Sequence, residues 1–217
     1  MEAENVIWHP EVLPPDAHQT LTLLSAQPTL KSFYLAGGTA LALRWGHRTS
    51  VDLDFFSSDV VNEEGLLSSL QQISGIKVIS RSPETLHLHI GATKVSFIGY
   101  HYPVLFPMQQ YHGVSVADPR DIAAMKLSAI ASRGTKRDFV DLYVLSEKYG
   151  LDELLRIFQQ KFAQTEYNPF HILKSLTYFA DADKEPMPHL LRPIAWEQIK
   201  QFFIREAPRL EDTEGPI

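Results

Sequence analysis

The pattern of hydrophobic and polar positions changes near the middle of the chain. Before about residue 115, short apolar runs and period-two alternation predict strands, with helical stretches between them. After that point, apolar residues recur every three or four positions, as they do along one face of a helix. The pattern therefore predicts an α+β fold on one sheet for residues 1–115 and a helical domain for residues 116–217.

The individual elements follow from the same pattern. Strands are predicted at 33–36, 51–56, 76–80, 85–90 and 93–100, and helices at 16–26, 39–45 and 63–73. In the second half, helices are predicted at 119–132, 136–149, 151–162, 168–181 and 195–206. Asp118 is a good N-cap, Pro119 suits the first helical position and Asp121 lies three residues after the cap, so a helix should begin there.

Composition narrows the chemistry that the chain can perform. With 217 residues, of which 44% are hydrophobic, the chain can bury one sizeable core and a smaller helical lobe. The absence of cysteine excludes disulfides, zinc ribbons and thiol nucleophiles. Any metal must therefore be held by oxygen or imidazole ligands, which favours Mg²⁺ or Mn²⁺.

Hydropathy indicates the expected cellular location, and charge indicates whether the whole surface suits nucleic acid. No apolar run reaches the roughly 20 residues that a membrane span needs, and the first residues lack the order of a signal peptide, so we expect a cytoplasmic protein. The formal net charge of −6 is not the basic excess that is typical of nucleic-acid-binding proteins. Binding to RNA would depend on a local basic patch.

Two aspartates stand out in the strand predicted at 51–56. Asp52 and Asp54 lie two residues apart, so their side chains leave the same face of a strand while Leu53 points to the core. Two carboxylates aimed at one point are suited to a divalent cation. Ordinary acids on a solvent-facing strand would give the same pattern, and the pair alone does not decide between them.

A pair of glycines precedes the aspartates. Gly37 and Gly38 end one predicted strand and open a helix, where backbone N–H groups can approach a phosphate, and Thr39 can add a hydroxyl. A plain strand-to-helix turn is the alternative. Because only thirteen residues separate Gly38 from Asp52, the combination predicts a phosphate-binding turn beside a metal-binding pair. Phosphoryl and nucleotidyl transfer need that arrangement.

A second group of charges lies in the helical half. Lys126 shares a stripe with Ile122 and Ile130, so it either extends its ammonium to water or reaches a phosphate in a cleft. Three cations then follow within five residues, at Arg133, Lys136 and Arg137, as a local basic patch or an ordinary solvated loop.

The next helix adds two acids. Asp138 and Asp141 are three residues apart and therefore neighbours on its surface, and Arg137 could form an ion pair with Asp141.

Two segments carry a family resemblance. LAGGTALALRWGHRTSVDLDFF, residues 35–56, and KLSAIASRGTKRDFVDLY, residues 126–143, resemble the nucleotidyltransferase superfamily and, within it, the AbiEii/AbiGii toxin family of bacterial abortive-infection and toxin–antitoxin systems. The resemblance implies a polymerase-beta-like mixed sheet with flanking helices, followed by a helical domain that completes the active-site cleft.

The resemblance also implies roles for individual residues. Asp52 and Asp54 would hold Mg²⁺, and Lys126 and either Asp138 or Asp141 would complete the catalytic group, one acid serving as a base for the acceptor hydroxyl. The nucleotide would be contacted by a larger set: Gly37, Gly38, Thr39, Arg48, Ser50, Lys126, Arg133, Lys136 and Arg137. Arg44 and His47 lie in the same segment, where His47 could be a ligand, although a turn histidine is more often merely exposed.

One position departs from the superfamily pattern. Many polymerase-like relatives bring a third carboxylate from a later strand, and Ser96 occupies the position where it is expected. Either Asp138 or Asp141 takes its place, or the chain only binds a nucleotide. His87 and His89 share one strand face and could add ligands, although half-exposed strands often carry such residues without a role.

The functional expectation is transfer of a nucleoside monophosphate from an NTP to an acceptor, which the family suggests is RNA and particularly tRNA. As a toxin, the protein would have an antitoxin partner. The alternatives are a non-catalytic nucleotide-binding protein and a nucleotidyltransferase that acts on a small molecule.

Overall fold

The computed structural model describes residues 6–213, with side chains described through Leu210. They divide into two compact units, of which the first ends at Asp118 and the second begins at Pro119. Within the described range, no helix combines the length and the apolar character needed to cross a membrane.

The first unit is a seven-stranded mixed sheet with flanking helices. Its strands are β1 Tyr34–Ala36, β2 Leu53–Ser57, β3 Ile76–Ser82, β4 Thr85–Ile90, β5 Thr93–Gly99, β6 Gln109–Tyr111 and β7 Val114–Val116, in the spatial order β3-β4-β5-β2-β1-β7-β6. β2 pairs in parallel with β5, and β1 with β7, while the other neighbouring pairs are antiparallel. The helices are α1 Pro15–Ser25, α2 Gly37–Trp45 and α3 Glu63–Ser69, with 3₁₀ turns at Pro10–Val12 and Pro28–Ser32.

One face of this sheet is packed and the other carries the polar residues. Leu53 and Phe55 of β2 are fully buried, and the Phe55 ring stacks on Phe97 of β5 with 5.4 Å between ring centroids. Asp54, which lies between the two buried residues, is half-buried. The period-two pattern therefore sets which side chains reach the open face.

The hairpin formed by β6 and β7 was not predicted. Each strand has only three residues, too few for a period-two pattern to be recognised, and the turn lies at His112 and Gly113, both with positive φ. β7 continues the sheet by pairing with β1, and the Ala117 N–H donates to the carbonyl of Leu35 over 2.9 Å.

The second unit is helical, as predicted. Its helices are α4 Pro119–Ser132, α5 Lys136–Tyr149, α6 Leu151–Lys161, α7 Pro169–Ser175 and α8 Trp196–Thr213, with a 3₁₀ turn at Ala182–Lys184. Its aromatic core centres on Phe139, whose ring lies 5.1 Å from that of Phe179 and 5.6 Å from that of Phe203. A buried ion pair joins α4 to α6, with 2.7 Å between Lys161 Nζ and Asp121 Oδ1.

Three helix ends differ from the prediction by more than two residues. α3 ends at Ser69 and not at residue 73, because the buried Leu70 and Ile73 continue the apolar pattern after the helix has stopped. α7 ends at Ser175 and not at residue 181, because Phe179 is buried against Phe139 and prolongs the apolar period after the helix has stopped. α8 continues beyond residue 206 to Thr213 and contains Pro208 within the helix.

Candidate active site

The turn at Gly37 lies directly against the carboxylate of Asp54. β1 ends at Ala36, whose register partner on β2 is Asp54, and α2 begins at Gly37 with a φ of +69°. A Cβ at Gly37 would lie 3.6 Å from Asp54 Oδ2. The structure thus brings together the glycine turn and one of the two predicted acids.

Thr39 links the first turn of α2 to the segment that carries Asp52. Its side chain is buried, its hydroxyl lies 2.7 Å from Ser50 Oγ, and it donates a hydrogen bond to the backbone carbonyl of Asp52. Asp52 is half-buried and precedes the first residue of β2 by one position. Thr39 and Ser50 therefore position the backbone before the strand, and their predicted contact with a triphosphate stays a prediction.

His47 and Arg48, which lie between α2 and Asp52, are more buried than their sequence suggests. Arg48 is buried, and its Nη1 donates to the carbonyl of Thr49 over 3.0 Å and lies 3.4 Å from Ser50 Oγ. His47 is also fully buried, so the expectation of an exposed turn histidine is wrong. The N-terminal residues cover this turn: His9 N–H donates to the carbonyl of Leu43, and the Val12 carbonyl accepts from Ser50 N–H.

A polar row crosses the open face of the sheet beside Asp54. Ser96 on β5 is the register partner of Asp54, and His87 on β4 is the partner of Ser96. Ser96 is buried, and its Oγ lies 3.0 Å from His87 Nδ1. Serine therefore stands at the sheet position where a third carboxylate is expected, and a histidine contacts it from the next strand.

The donor set on this face suits a hard divalent cation. Magnesium in proteins is commonly bound by one or two carboxylates together with substrate phosphates and water. Asp52 and Asp54 supply such carboxylates, and a glycine at position 37 leaves backbone beside Asp54 Oδ2 where a side chain would otherwise stand. Among the described residues, no group of three or more His, Cys, Asp or Glu side chains is arranged to hold a metal. The oxygen donors of Asp52 and Asp54, with the open turn at Gly37 beside Asp54, fit Mg²⁺.

The second predicted cluster forms a buried ionic group between α4 and α5. Lys126 Nζ lies 2.8 Å from Asp138 Oδ1 and 2.7 Å from Asp141 Oδ2. The side chain of Lys126 is 9% exposed, and those of Asp138 and Asp141 are 2% and 0% exposed. The ammonium is therefore held by two carboxylates inside the helical unit and does not extend along the surface into water.

Asp138 is held in its ionised form. Burial acts to raise its pKa, but the charge and hydrogen bond of Lys126, together with the Thr135 hydroxyl, outweigh burial and leave the pKa below its ordinary value. Thr135 Oγ1 donates to Asp138 Oδ2 over 2.6 Å and accepts from the Asp138 N–H, so Thr135 is the N-cap of α5. Thr135 was not among the predicted site residues, although a threonine just before a predicted helix is a typical N-cap.

The basic loop separates into buried and exposed cations. Lys136 is buried, donates from Nζ to the carbonyl of Glu185 over 2.5 Å and lies 5.0 Å from the centre of the Trp196 ring. Arg133 and Arg137 are exposed, and Arg133 Nε lies 3.4 Å from Asp138 Oδ2. Lys136 therefore stabilises the helical unit, and the surface charge of the loop comes from its two arginines.

A mixed sheet with flanking helices, in which a glycine turn opens a helix beside a strand carboxylate, defines the class of nucleotidyltransferases. Residues 20–113 and 98–214 match the family model described as "Nucleotidyl transferase AbiEii toxin, Type IV TA system", and the chain belongs to this family of enzymes. The family resemblance and the α+β fold predicted from the sequence are confirmed. Membership in a toxin–antitoxin family implies an NTP substrate and an antitoxin partner.

Comparisons with individual proteins find one relative in sequence and several solved structures of similar fold. The chain is 38% identical over 180 residues to the uncharacterized protein aq_aa25 of Aquifex aeolicus (strain VF5), covering 80% of this chain and 85% of that protein. Among solved structures, JHP933 from Helicobacter pylori matches with a TM-score of 0.52 and 18% identity over 93% of this chain and 96% of its own.

Two further solved structures share the fold. MenT4, a nucleotidyltransferase toxin from Mycobacterium tuberculosis H37Rv, matches with a TM-score of 0.50 and 18% identity over 93% of this chain and 90% of its own. The antibiotic-resistance factor ANT(2'')-Ia matches with a TM-score of 0.52 and 12% identity over 69% and 94%. At these identities, the three solved structures show the likeness of fold alone.

Proposed function

We propose that this enzyme transfers a nucleoside monophosphate from an NTP to an RNA acceptor such as tRNA, with Mg²⁺ bound by Asp52 and Asp54, and that it acts as a toxin. The observation that carries the proposal is the proximity of Asp54 Oδ2 to the Gly37 turn, where an added Cβ would lie 3.6 Å from it. It brings a backbone suited to phosphate against a carboxylate suited to the metal that accompanies phosphate.

The roles of the residues follow from this arrangement. When bound, the metal would neutralise negative charge on the phosphate oxygens. The first residues of α2, Gly37 and Gly38, would present backbone N–H groups to the triphosphate. Thr39 and Ser50 would fix the backbone that carries Asp52, since the Thr39 hydroxyl bonds to its carbonyl. Arg48 would hold Ser50 in place from the same segment.

The helical unit is proposed to contribute Lys126, Asp138 and Asp141. Lys126 would contact nucleotide phosphates, and the exposed Arg133 and Arg137 would add positive potential. A general base must accept a proton, and the lowered pKa of Asp138 makes that carboxylate a weak acceptor. This fits Asp138 to orienting Lys126, but Asp141 holds the same ammonium at 2.7 Å, and we propose that one of these two acids is the catalytic acid.

The proposal is tested by transfer of label. The protein is incubated with Mg²⁺, total RNA and each of the NTPs labelled at the α-phosphate, and RNA is then separated from free nucleotide. We expect label in RNA with at least one NTP and none after chelation of the metal. Asp54→Asn should abolish transfer, while Asp59→Asn, an exposed acid just beyond the same strand, should leave it unchanged. Transfer that survives Asp54→Asn would exclude the site.

The same assay distinguishes an RNA acceptor from a small-molecule acceptor. The net charge of −6 favours a neutral or cationic small molecule over a polyanion, which makes such an acceptor the competing candidate. A parallel incubation with an RNA-free small-molecule extract distinguishes the two. Label in the small-molecule fraction alone would replace RNA as the acceptor while leaving the enzyme class intact.

A further inference from the structure

A row of basic side chains crosses the open face of the sheet, one step along the strands from Asp54. Lys94 on β5, His89 on β4 and Lys77 on β3 are successive register partners, and we call these three residues the basic row. Lys94 and His89 each lie two positions along their strands from Ser96 and His87, which share a row with Asp54, and Lys77 continues the basic row as the register partner of His89.

Strand alternation places the basic row on the same face as Asp54. Lys94 is two residues before Ser96, and His89 is two residues after His87, so each points to the same side as its neighbour. The intervening Val95 and Leu88 are fully buried on the opposite face.

The two lysines of this row are available to a ligand. Both Lys77 and Lys94 are exposed, and neither forms an ion pair with a carboxylate among the side chains that the structure describes. Arg81 differs from them, because its register partner is the buried Leu86, and it pairs with Glu64 at 3.5 Å. The first 118 residues contain three lysines, and two of them lie in this row.

The basic row lies on the opposite side of Asp54 from the glycine turn. β1, which leads into Gly37, borders β2 on one side, and β5, β4 and β3 follow on the other. Because neighbouring strands are about 4.8 Å apart, the row extends over about 10 Å, away from the turn. A triphosphate bound at Gly37 would leave the row to the second substrate.

We propose that Lys94, His89 and Lys77 bind the phosphodiester backbone of the RNA acceptor and guide its end toward Asp54. This inference rests on the proposed function and specifies its acceptor surface. Lysines that contact phosphates position a strand without reading its bases, so binding here is independent of sequence. The same positive potential repels a cationic small molecule, which distinguishes the row from a site for such an acceptor.

Direct binding of RNA tests the row separately from catalysis. The affinity of the full-length protein for a short fluorescein-labelled single-stranded RNA is measured by anisotropy between about 50 and 200 mM salt, a range over which phosphate contacts weaken strongly. Each phosphate contact on a single strand contributes about 0.7 to the slope of log affinity against log salt. We expect the double variant Lys77→Gln/Lys94→Gln to lose about 1.4 from the slope and to bind about twentyfold more weakly at about 0.1 M salt.

Lys31→Gln is the matched control, because Lys31 is the remaining exposed lysine of this unit and lies outside the row. The control should bind RNA as the wild type does, and all three proteins should bind NTP with Mg²⁺ equally. In the transfer assay, the double variant should raise the KM for RNA and leave kcat unchanged.

The outcomes separate the two proposals. An unchanged salt slope and affinity in the double variant would overturn the row even if the wild type transfers label to RNA. A lost slope supports the row as an RNA-binding surface, and absence of label in RNA from the wild type would then count against the proposed function alone.

Discussion

Gly37 satisfies two requirements at one position. Its φ of +69° belongs to the left-handed region, which residues with a Cβ adopt at a cost of about 1–2 kcal/mol. A Cβ would also occupy the space beside Asp54 Oδ2, where the proposed site places metal and phosphate. The backbone conformation and the open space therefore both favour glycine.

The two requirements can be separated by mutation. Gly37→Ala should lower the free energy of unfolding by about 1–2 kcal/mol, because alanine is strained at positive φ, and should also abolish most label transfer. Gly91→Ala is the matched variant: its φ is +58°, and an added Cβ has nothing within 4 Å. It should show the same loss in urea denaturation with transfer retained per folded molecule. Equal losses of transfer in both variants would contradict a role for Gly37 in the site.

The stability of the packing between α4 and α5 depends on one lysine in their buried ionic group. Lys126 neutralises two carboxylates that are almost fully buried. Removal of one partner from a buried ion pair commonly costs about 3–5 kcal/mol, because the other charge stays without compensation.

We therefore expect Lys126→Met to destabilise the helical unit by about 3–5 kcal/mol near pH 7, measured by urea denaturation followed through helical circular dichroism. Lys184→Met is the control, because Lys184 and Asp181 form an exposed pair, whose attraction is weakened by the surrounding water. A similar small loss in both variants would show that the buried group does not stabilise the fold.

The loss of stability in Lys126→Met should also depend on pH. In the wild type, the lowered pKa of Asp138 contributes stability above its ordinary pKa of 3.8, and that stability is lost as pH falls through the lowered native pKa. Without Lys126, uncompensated burial raises the pKa values of the carboxylates, so they take up protons at higher pH. The difference in unfolding free energy between wild type and Lys126→Met should therefore narrow from about pH 7 to about pH 5. A constant difference would contradict this account.

His101 joins the loop after β2 to the turn between β3 and β4. Its Nδ1 lies 3.0 Å from the carbonyl of Ser58, and its Nε2 lies 3.0 Å from the Glu84 carboxylate. The hydrogen bond to Glu84, followed by that to Ser58, raises the pKa of His101 above its ordinary 6.5. The native protein therefore favours the protonated ring.

A raised pKa contributes stability that is complete below pH 6.5 and is lost as pH rises through the native pKa of the histidine. His101→Gln should consequently lower the melting temperature more at pH 6 than at pH 9. The melting temperatures of both proteins at these two pH values check the prediction, and a pH-independent difference would exclude a charged His101–Glu84 pair.

Local patterns predicted the elements that have enough residues to show a period. The prediction was correct for β4 and α5 at both ends, because each carries a full alternation or several helical turns between clear boundaries. The β6–β7 hairpin lacks such a pattern, and it is defined by pairing with β1, a strand far away in the sequence. A local pattern of hydrophobic and polar residues does not reveal which distant strand a segment will pair with.

In the candidate site, too, some contacts follow from neighbouring residues in the sequence and others depend on strand pairing or helix packing. The proximity of Gly37 and Asp54 could be predicted, because one helix separates the two strands that carry them. The contact of His87 with Ser96 depends on strand register, and the enclosure of Lys126 by Asp138 and Asp141 depends on how α4 packs against α5. The spacing of residues in one helix or strand does not determine either contact.

At the scale of the whole molecule, substrate binding should stabilise the folded chain. A ligand that binds only the native state raises stability by about 2.7 kcal/mol at a hundred times its Kd. We expect NTP with Mg²⁺ to raise the melting temperature of the wild type, and Asp54→Asn to lose the part of this shift that requires the metal. NTP with chelator serves as the reference, and the same metal-dependent increase in Asp54→Asn would argue against a metal at Asp54.

The parallel pairing of β1 with β7 also determines when the sheet can be completed during synthesis of the chain. Val116, the register partner of Leu35, is synthesised 81 residues after it, which takes roughly 4–16 s at about 5–20 residues per second. During that interval, the strand that leads into Gly37 has β2 as its one sheet neighbour and an open edge on the other side. The turn at Gly37 therefore gains the full support of its sheet only after every strand of the sheet has been synthesised.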